Sequence, residues 1–122
     1  MTQERKQALL EAGVAVEEAL TRCMGNEMLL ERLLNKFVDD RTYAALLQAM
    51  KEKNQEYAVS SAHTLKGICA NLSMKRMYCL LEQQVELLRQ GNWDEAEHVM
   101  SDIKQTYDRI CLILGQDDIN SK

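Results

Sequence analysis

No proline interrupts this 122-residue chain. At ordinary usage a chain of that length would carry roughly six. Proline fixes its own backbone and lacks an amide donor, so it ends helices and marks the turns and edges of β-rich folds. Its absence argues against a turn-dense sandwich, a proline-rich linker or a collagen-like repeat, and it leaves helices free to run. Aromatic residues are only 5% of the chain. The remainder is rich in Ala, Leu, Met, Glu, Gln and Lys, the residues that lose least on entering a helix.

Apolar spacing predicts six helices. The first covers Val14 to Cys23, with Gly13 and Gly25 at its ends. Asn26 caps a second, to about Val38, whose stripe is Leu29, Leu30, Leu33, Leu34 and Phe37. Asp40 caps a third, with Tyr43, Leu46, Leu47 and Met50 inward and the polar Lys51-Glu52-Lys53-Asn54 as its stop. The fourth, Gln55 to Asn71, carries Ala58, Ala62, Leu65 and Cys69, continued by Leu72. Ser73 is expected to cap a fifth, with Met74, Met77, Tyr78, Leu81, Val85 and Leu88 inward and Gly91 at its end. Asn92 with Glu95 makes a capping box for the last, whose inward residues are Ala96, Val99, Met100, Ile103, Tyr107, Ile110 and Leu114, with Gly115 closing it. Residues 116–122 read as a frayed tail. No segment alternates with the period of a strand. Short connections between long amphipathic helices favour antiparallel neighbours. The expected fold is all-α, an up-down antiparallel four-helix bundle with two additional N-terminal helices, in a single domain over 1–122.

Charge and cysteine usage narrow the function. Nineteen acidic against 15 basic residues give a net charge of −4, which is no footprint for a phosphate backbone. A nucleic-acid or membrane partner is not expected. No run approaches the roughly 20 apolar residues of a membrane span, and the amino terminus does not read as a secretory signal. A cytoplasmic monomer is the expectation. Cys23, Cys69, Cys79 and Cys111 include no C-x-x-C pair and fall inside helical patterns, so they read as free packing residues. His98 among Asp94, Glu95 and Glu97 suits a capped, solvated helix start better than a metal site, and no metal is expected. Trp93 reads as a packing anchor and the seven methionines as core filler.

The fourth helix has a second face. Ser60, His63, Lys66, Gly67 and Ala70 stand at −3, 0, +3, +4 and +7 from the histidine and share one side. His63 follows Ala62 of the core stripe, so it points about 100° away from the interior. A glycine in mid-helix costs on the order of 1 kcal/mol against alanine. Helical side chains lean toward the N-terminus, so a side chain at 67 would lie across the His63 ring. A neutral imidazole keeps one nitrogen lone pair for attack, and Lys66 brings a compact cation for an anionic group carried there.

The segment Ala62-His63-Thr64-Leu65-Lys66-Gly67 resembles the A-H-x-L-K-G signature of histidine-containing phosphotransfer domains. The likeness continues through Ala70-Asn71-Leu72, and upstream through Gly13-Val14, Met24-Gly25-Asn26 and Leu33-Leu34-Asn35-Lys36-Phe37. It covers about residues 10–114. Two positions depart from the pattern: Ile68 stands where a small residue is usual, and Ser73 where glycine is common. The resemblance implies a phosphorelay protein in which His63 accepts a phosphoryl group from a receiver-domain aspartyl phosphate and passes it to another receiver. Lys66 would stabilise that group and Gly67 would clear space for it. Gln83 and Gln84 are candidates for a polar side chain from the next helix beside the histidine. Val59 and Ile68, with residues of the first two helices, are candidates for docking. The implied partners are receiver domains of response regulators, with a hybrid sensor kinase as a further candidate. No cofactor is expected on this chain, Mg²⁺ being supplied by the receiver, and the protein would be a carrier rather than a kinase. The alternative is a helical adapter that binds receivers or other signalling proteins without being phosphorylated.

Overall fold

Each segment with a helical apolar repeat is a helix in the computed structural model, which describes residues 1–120, with side chains through 115. Among the described residues there are seven helices: α1 (Gln3–Glu11), α2 (Val16–Arg22), α3 (Glu27–Asp39), α4 (Thr42–Lys51), α5 (Gln55–Asn71), α6 (Lys75–Arg89) and α7 (Trp93–Asn120). No strand occurs among them; a single bridge joins Val14 to Met74.

Three helices, not two, precede α4. The unanticipated one is α1, and its sequence hides it because it has no apolar stripe. Leu9 is its one buried apolar residue. Its start is set by the Thr2 hydroxyl, which accepts the Arg5 N–H at 3.1 Å. Its anchor is a charge: Arg5 is 5% exposed, and its Nη2 lies 2.7 and 2.8 Å from the two carboxylate oxygens of Glu31 in α3. Its Nη1 donates to the Ile113 and Leu114 carbonyls of α7 at 3.2 and 3.3 Å. One arginine thus ties three helices together.

Helix α5 packs between α4 and α6, and α6 packs on α7. Residues 52–54, 72–74 and 90–92 are the connections, three residues each. Helix α7 meets α4 through ring contact. Tyr43 and Tyr107 stack with centroids 3.6 Å apart, and Phe37 of α3 lies 5.4 Å from the Tyr107 ring. Most expected inward positions are buried, including Leu30, Leu34, Leu46, Leu81, Ile103 and Ile110.

The caps separate where the chain turns from where it only carries a turn residue. Asn26, Asn54 and Asn92 each accept a backbone N–H three residues on. Asp40 accepts the Thr42 N–H at 2.7 Å. Gly25 and Gly91 close α2 and α6 with positive φ. Gly115 closes nothing: the helix runs through it to Asn120, and its φ is not in the left-handed region where glycine has its advantage. The frayed end expected over 116–122 lies outside the described side chains. Ser73 is not the cap of α6 either. It has φ +55 and ends α5, while Met74 precedes α6 with no side-chain cap. That left-handed backbone is the physical reason a glycine suits position 73.

Ser73 is held there by the turn between α1 and α2. Ala15 donates to the Ser73 carbonyl at 2.9 Å and Arg76 donates to the Gly13 carbonyl at 3.2 Å. Gly13 has φ +92, and a Cβ on it would overlap the Arg76 side chain. Gly13→Ala combines backbone strain with that overlap and is expected to cost about 1–3 kcal/mol, measured by urea unfolding; an unchanged midpoint would contradict the clamp. Burial also pushes the Tyr43 hydroxyl pKa up to about 12, above the ordinary tyrosine value of about 10. The native state therefore keeps a proton that the unfolded chain releases, so stability falls as pH rises from about 10 to about 12. Unfolding free energies measured across that range are expected to decline less steeply in Tyr43→Phe; equal slopes would contradict it.

Candidate functional site

The rotation of α5 is fixed by its interior stripe. Ala58, Ala62 and Cys69 are 0% exposed and Leu65 is 1% exposed. The Asn54 side chain sets the start by accepting the Tyr57 N–H at 3.1 Å. Burial pushes the Cys69 thiol up to about 12, so it is an inert packing group. With those residues turned inward, the opposite flank faces out. His63, Ser60 and Gly67 are exposed, and Lys66 and Ala70 are half-buried. The expected stripe lies on one side of one helix.

Among the described residues no side chain hydrogen-bonds or ion-pairs with the His63 ring. An imidazole without an internal partner keeps both nitrogens available to whatever docks. A Cβ built on Gly67 meets nothing within 4 Å. Packing among the described residues therefore leaves room for a methyl group there. Lys66 has no carboxylate within ion-pair distance among the described residues. Its Nζ lies 5.8 Å from the centroid of the Tyr78 ring, across the contact between α5 and α6. At the far end of the stripe, Arg22 of α2 donates to the Ala70 carbonyl at 3.0 Å.

Of the two candidate glutamines, Gln84 lies in the core. Gln84 is 0% exposed, and its Nε2 lies 3.4 Å from Met50 Sδ and 3.5 Å from Met100 Sδ. Its Oε1 finds no donor among the described residues. It is a core amide among sulfurs, turned away from the surface that carries His63. Gln83 is exposed and makes no hydrogen bond to His63. From α6, the Tyr78 ring lies beside Lys66 of the stripe. Its position was readable as helical, but the register of α6 against α5 was not.

The flanks differ in chemistry. Val59 is half-buried, one turn before His63. Ile68, also half-buried, lines a cleft of about 360 Å³ between α3 and α5, with Leu33, Phe37, Lys36 and Asn71. The docking candidates therefore lie on two different aspects of α5. On the α4 side a polar groove is formed by Arg41, Thr42, Ser60, Ser61 and Thr64, among others. Elsewhere, Trp93 packs half-buried on the core, and His98 is exposed with Nδ1 3.9 Å from Glu95. Among the described residues there is no group of three metal-ligating side chains, and no helix is long and apolar enough to cross a membrane. Cys23 and Cys69 are buried free thiols and Cys79 is an exposed one.

No protein-family model matches this chain, and neither a curated protein nor a solved structure matches it.

Because a methyl group fits at position 67, Gly67→Ala is expected to raise stability by roughly 1 kcal/mol through helix propensity. A thermal or urea melt checks this, and a loss of stability would show that the glycine is required for packing after all.

Proposed function

We propose that this protein is a phosphoryl carrier of the histidine phosphotransfer kind, with His63 as the acceptor. The observation that carries the proposal is the pairing on one helix face of an exposed imidazole with an ammonium, neither of which has a hydrogen-bond or ion-pair partner among the described residues. In this reading α4 to α7 form the up-down antiparallel four-helix bundle. The three-residue connections and the packing of each helix on the next support that topology.

The chemistry follows from the face. A ring nitrogen of His63 attacks the phosphorus of an aspartyl phosphate on a receiver domain. The phosphorus–oxygen bond to the aspartate breaks, its carboxylate leaves with the bonding electrons, and a nitrogen–phosphorus bond forms. The proton on the other ring nitrogen passes to solvent. Transfer to a second receiver reverses these steps. Such transfers depend on positioning and charge stabilisation more than on covalent work by the protein. Lys66 supplies positive charge from this chain, and Mg²⁺ belongs to the receiver's side. The open space at Gly67 admits the receiver's acidic pocket close to the ring. The chain has no glycine-rich nucleotide loop and acts as a carrier in the cytoplasm, working as a monomer with receiver domains and a hybrid sensor kinase.

Incubation with a phosphorylated receiver and Mg²⁺ is expected to label the wild type and leave His63→Gln unlabelled, with unchanged circular dichroism. The label should be acid-labile and base-stable. Label persisting in His63→Gln would refute the assignment, and receiver binding with no label on either protein would favour an adapter. Gly67→Leu, which puts a long side chain toward the ring, is expected to slow transfer tenfold or more on the order expected for a misplaced reacting group, while melting close to Gly67→Ala.

A further inference from the structure

We propose that Tyr78 is a positioning residue that holds the Lys66 ammonium at the phosphoryl site without neutralising it. The inference rests on His63 being the phosphoacceptor. A lysine on a helix flank has a rotamer-rich stem and is ordinarily dispersed in solvent. Here Lys66 is half-buried, and its Nζ lies 5.8 Å from the Tyr78 ring centroid, within the range where a ring face attracts a cation.

The choice of holder matters. A carboxylate would restrain the ammonium and cancel its charge before an anion arrived. A neutral ring restrains it and leaves the whole positive charge to act. The ring is itself half-buried and lines a cleft with the buried Cys69 and Met74, which limits the positions open to it. Two other cations line that cleft, and both are committed. Lys75 pairs with Glu18 at 2.9 Å, and Arg22 donates to the Ala70 carbonyl. Lys66, by contrast, has neither a carboxylate nor a carbonyl partner among the described residues, and it stands one turn from His63 on the same side of α5. Side chains so spaced stand about 5–6 Å apart at Cβ, so a phosphoryl group on the ring falls within a lysine's reach.

The test uses the full chain and potassium phosphoramidate as donor, which removes any effect on receiver docking. The imidazole nitrogen attacks phosphorus, the phosphorus–nitrogen bond of the donor breaks, and ammonia leaves. Labelling rates are read by phosphorus NMR. Tyr78→Leu is expected to slow labelling about two- to fivefold, the range of an exposed cation–ring contact, and Tyr78→Phe, which keeps the ring face, restores most of the rate. In a Lys66→Ala background Tyr78→Leu should cause no further loss, whereas damage to the fold would lower the rate in both backgrounds. The Lys66 side-chain proton shifts, moved by the ring in the wild type and Tyr78→Phe but not in Tyr78→Leu, provide a readout independent of transfer. A labelled wild type with Tyr78→Leu equally fast or faster, or equal losses in both backgrounds, overturns the role of Tyr78 alone. An unlabelled wild type removes the His63 assignment and this inference with it.

Discussion

The arrangement depends on one constraint, the burial of a stripe of small and medium side chains along α5. Ala58, Ala62, Leu65 and Cys69 occupy the interior almost completely, with α4 packed on one side and α6 on the other. Burial is non-directional in itself, but on a helix it fixes rotation. Turning α5 by one residue would carry the stripe about 100° toward water and bring His63 inward. Alanine at 58 and 62 matters as much as the apolar character, because small residues let the neighbouring helices approach closely. The exposed imidazole is therefore a consequence of core packing.

The N-terminal segment supports that face from the far end. The turn at Gly13 is bonded to the turn at Ser73, where α5 ends, and Arg22 reaches the Ala70 carbonyl on the stripe itself. Arg5 adds a buried charge, paired with Glu31 and bonded to carbonyls of α7. A buried ion pair adds less net stability than its short distances suggest, since desolvation opposes it, yet removing one partner is costly. Its contribution is to specify where α1 sits when that helix has almost no apolar stripe to bury.

That contrast explains what was legible in the amino-acid order. Helices α3 to α6 carry apolar repeats, and their positions follow from spacing. The bounds of α5, Gln55–Asn71, agree with expectation because Asn54 caps one end and the stripe runs the full length. Helix α1 was not legible, since a buried arginine looks like a surface one until its partners are known. Gly115 and Ser73 misled in opposite senses. The glycine stands inside a helix, and the serine adopts the left-handed turn a glycine would favour. On the site, the His63, Lys66 and Gly67 face could be read because it lies on one helix and obeys one geometry. Gln84 and Tyr78 could not, because which α6 residue meets the face depends on register between helices. A glutamine buried between two methionine sulfurs leaves no trace in a hydropathy pattern.

The chemistry assigned to this face turns on one atom's identity. Hydroxyls stand close by on the same helix, at Ser60, Ser61 and Thr64, and they would take a phosphoryl group as an ester rather than a phosphoramidate. Mapping the phosphorylated residue by tandem mass spectrometry at neutral pH, after incubation with a phosphorylated receiver and Mg²⁺, tests the account most directly. Modification of the His63 imidazole and of no hydroxyl is expected. Phosphate on Ser60, Ser61 or Thr64 with an unmodified His63, or no modification by a receiver that binds the chain, would contradict it.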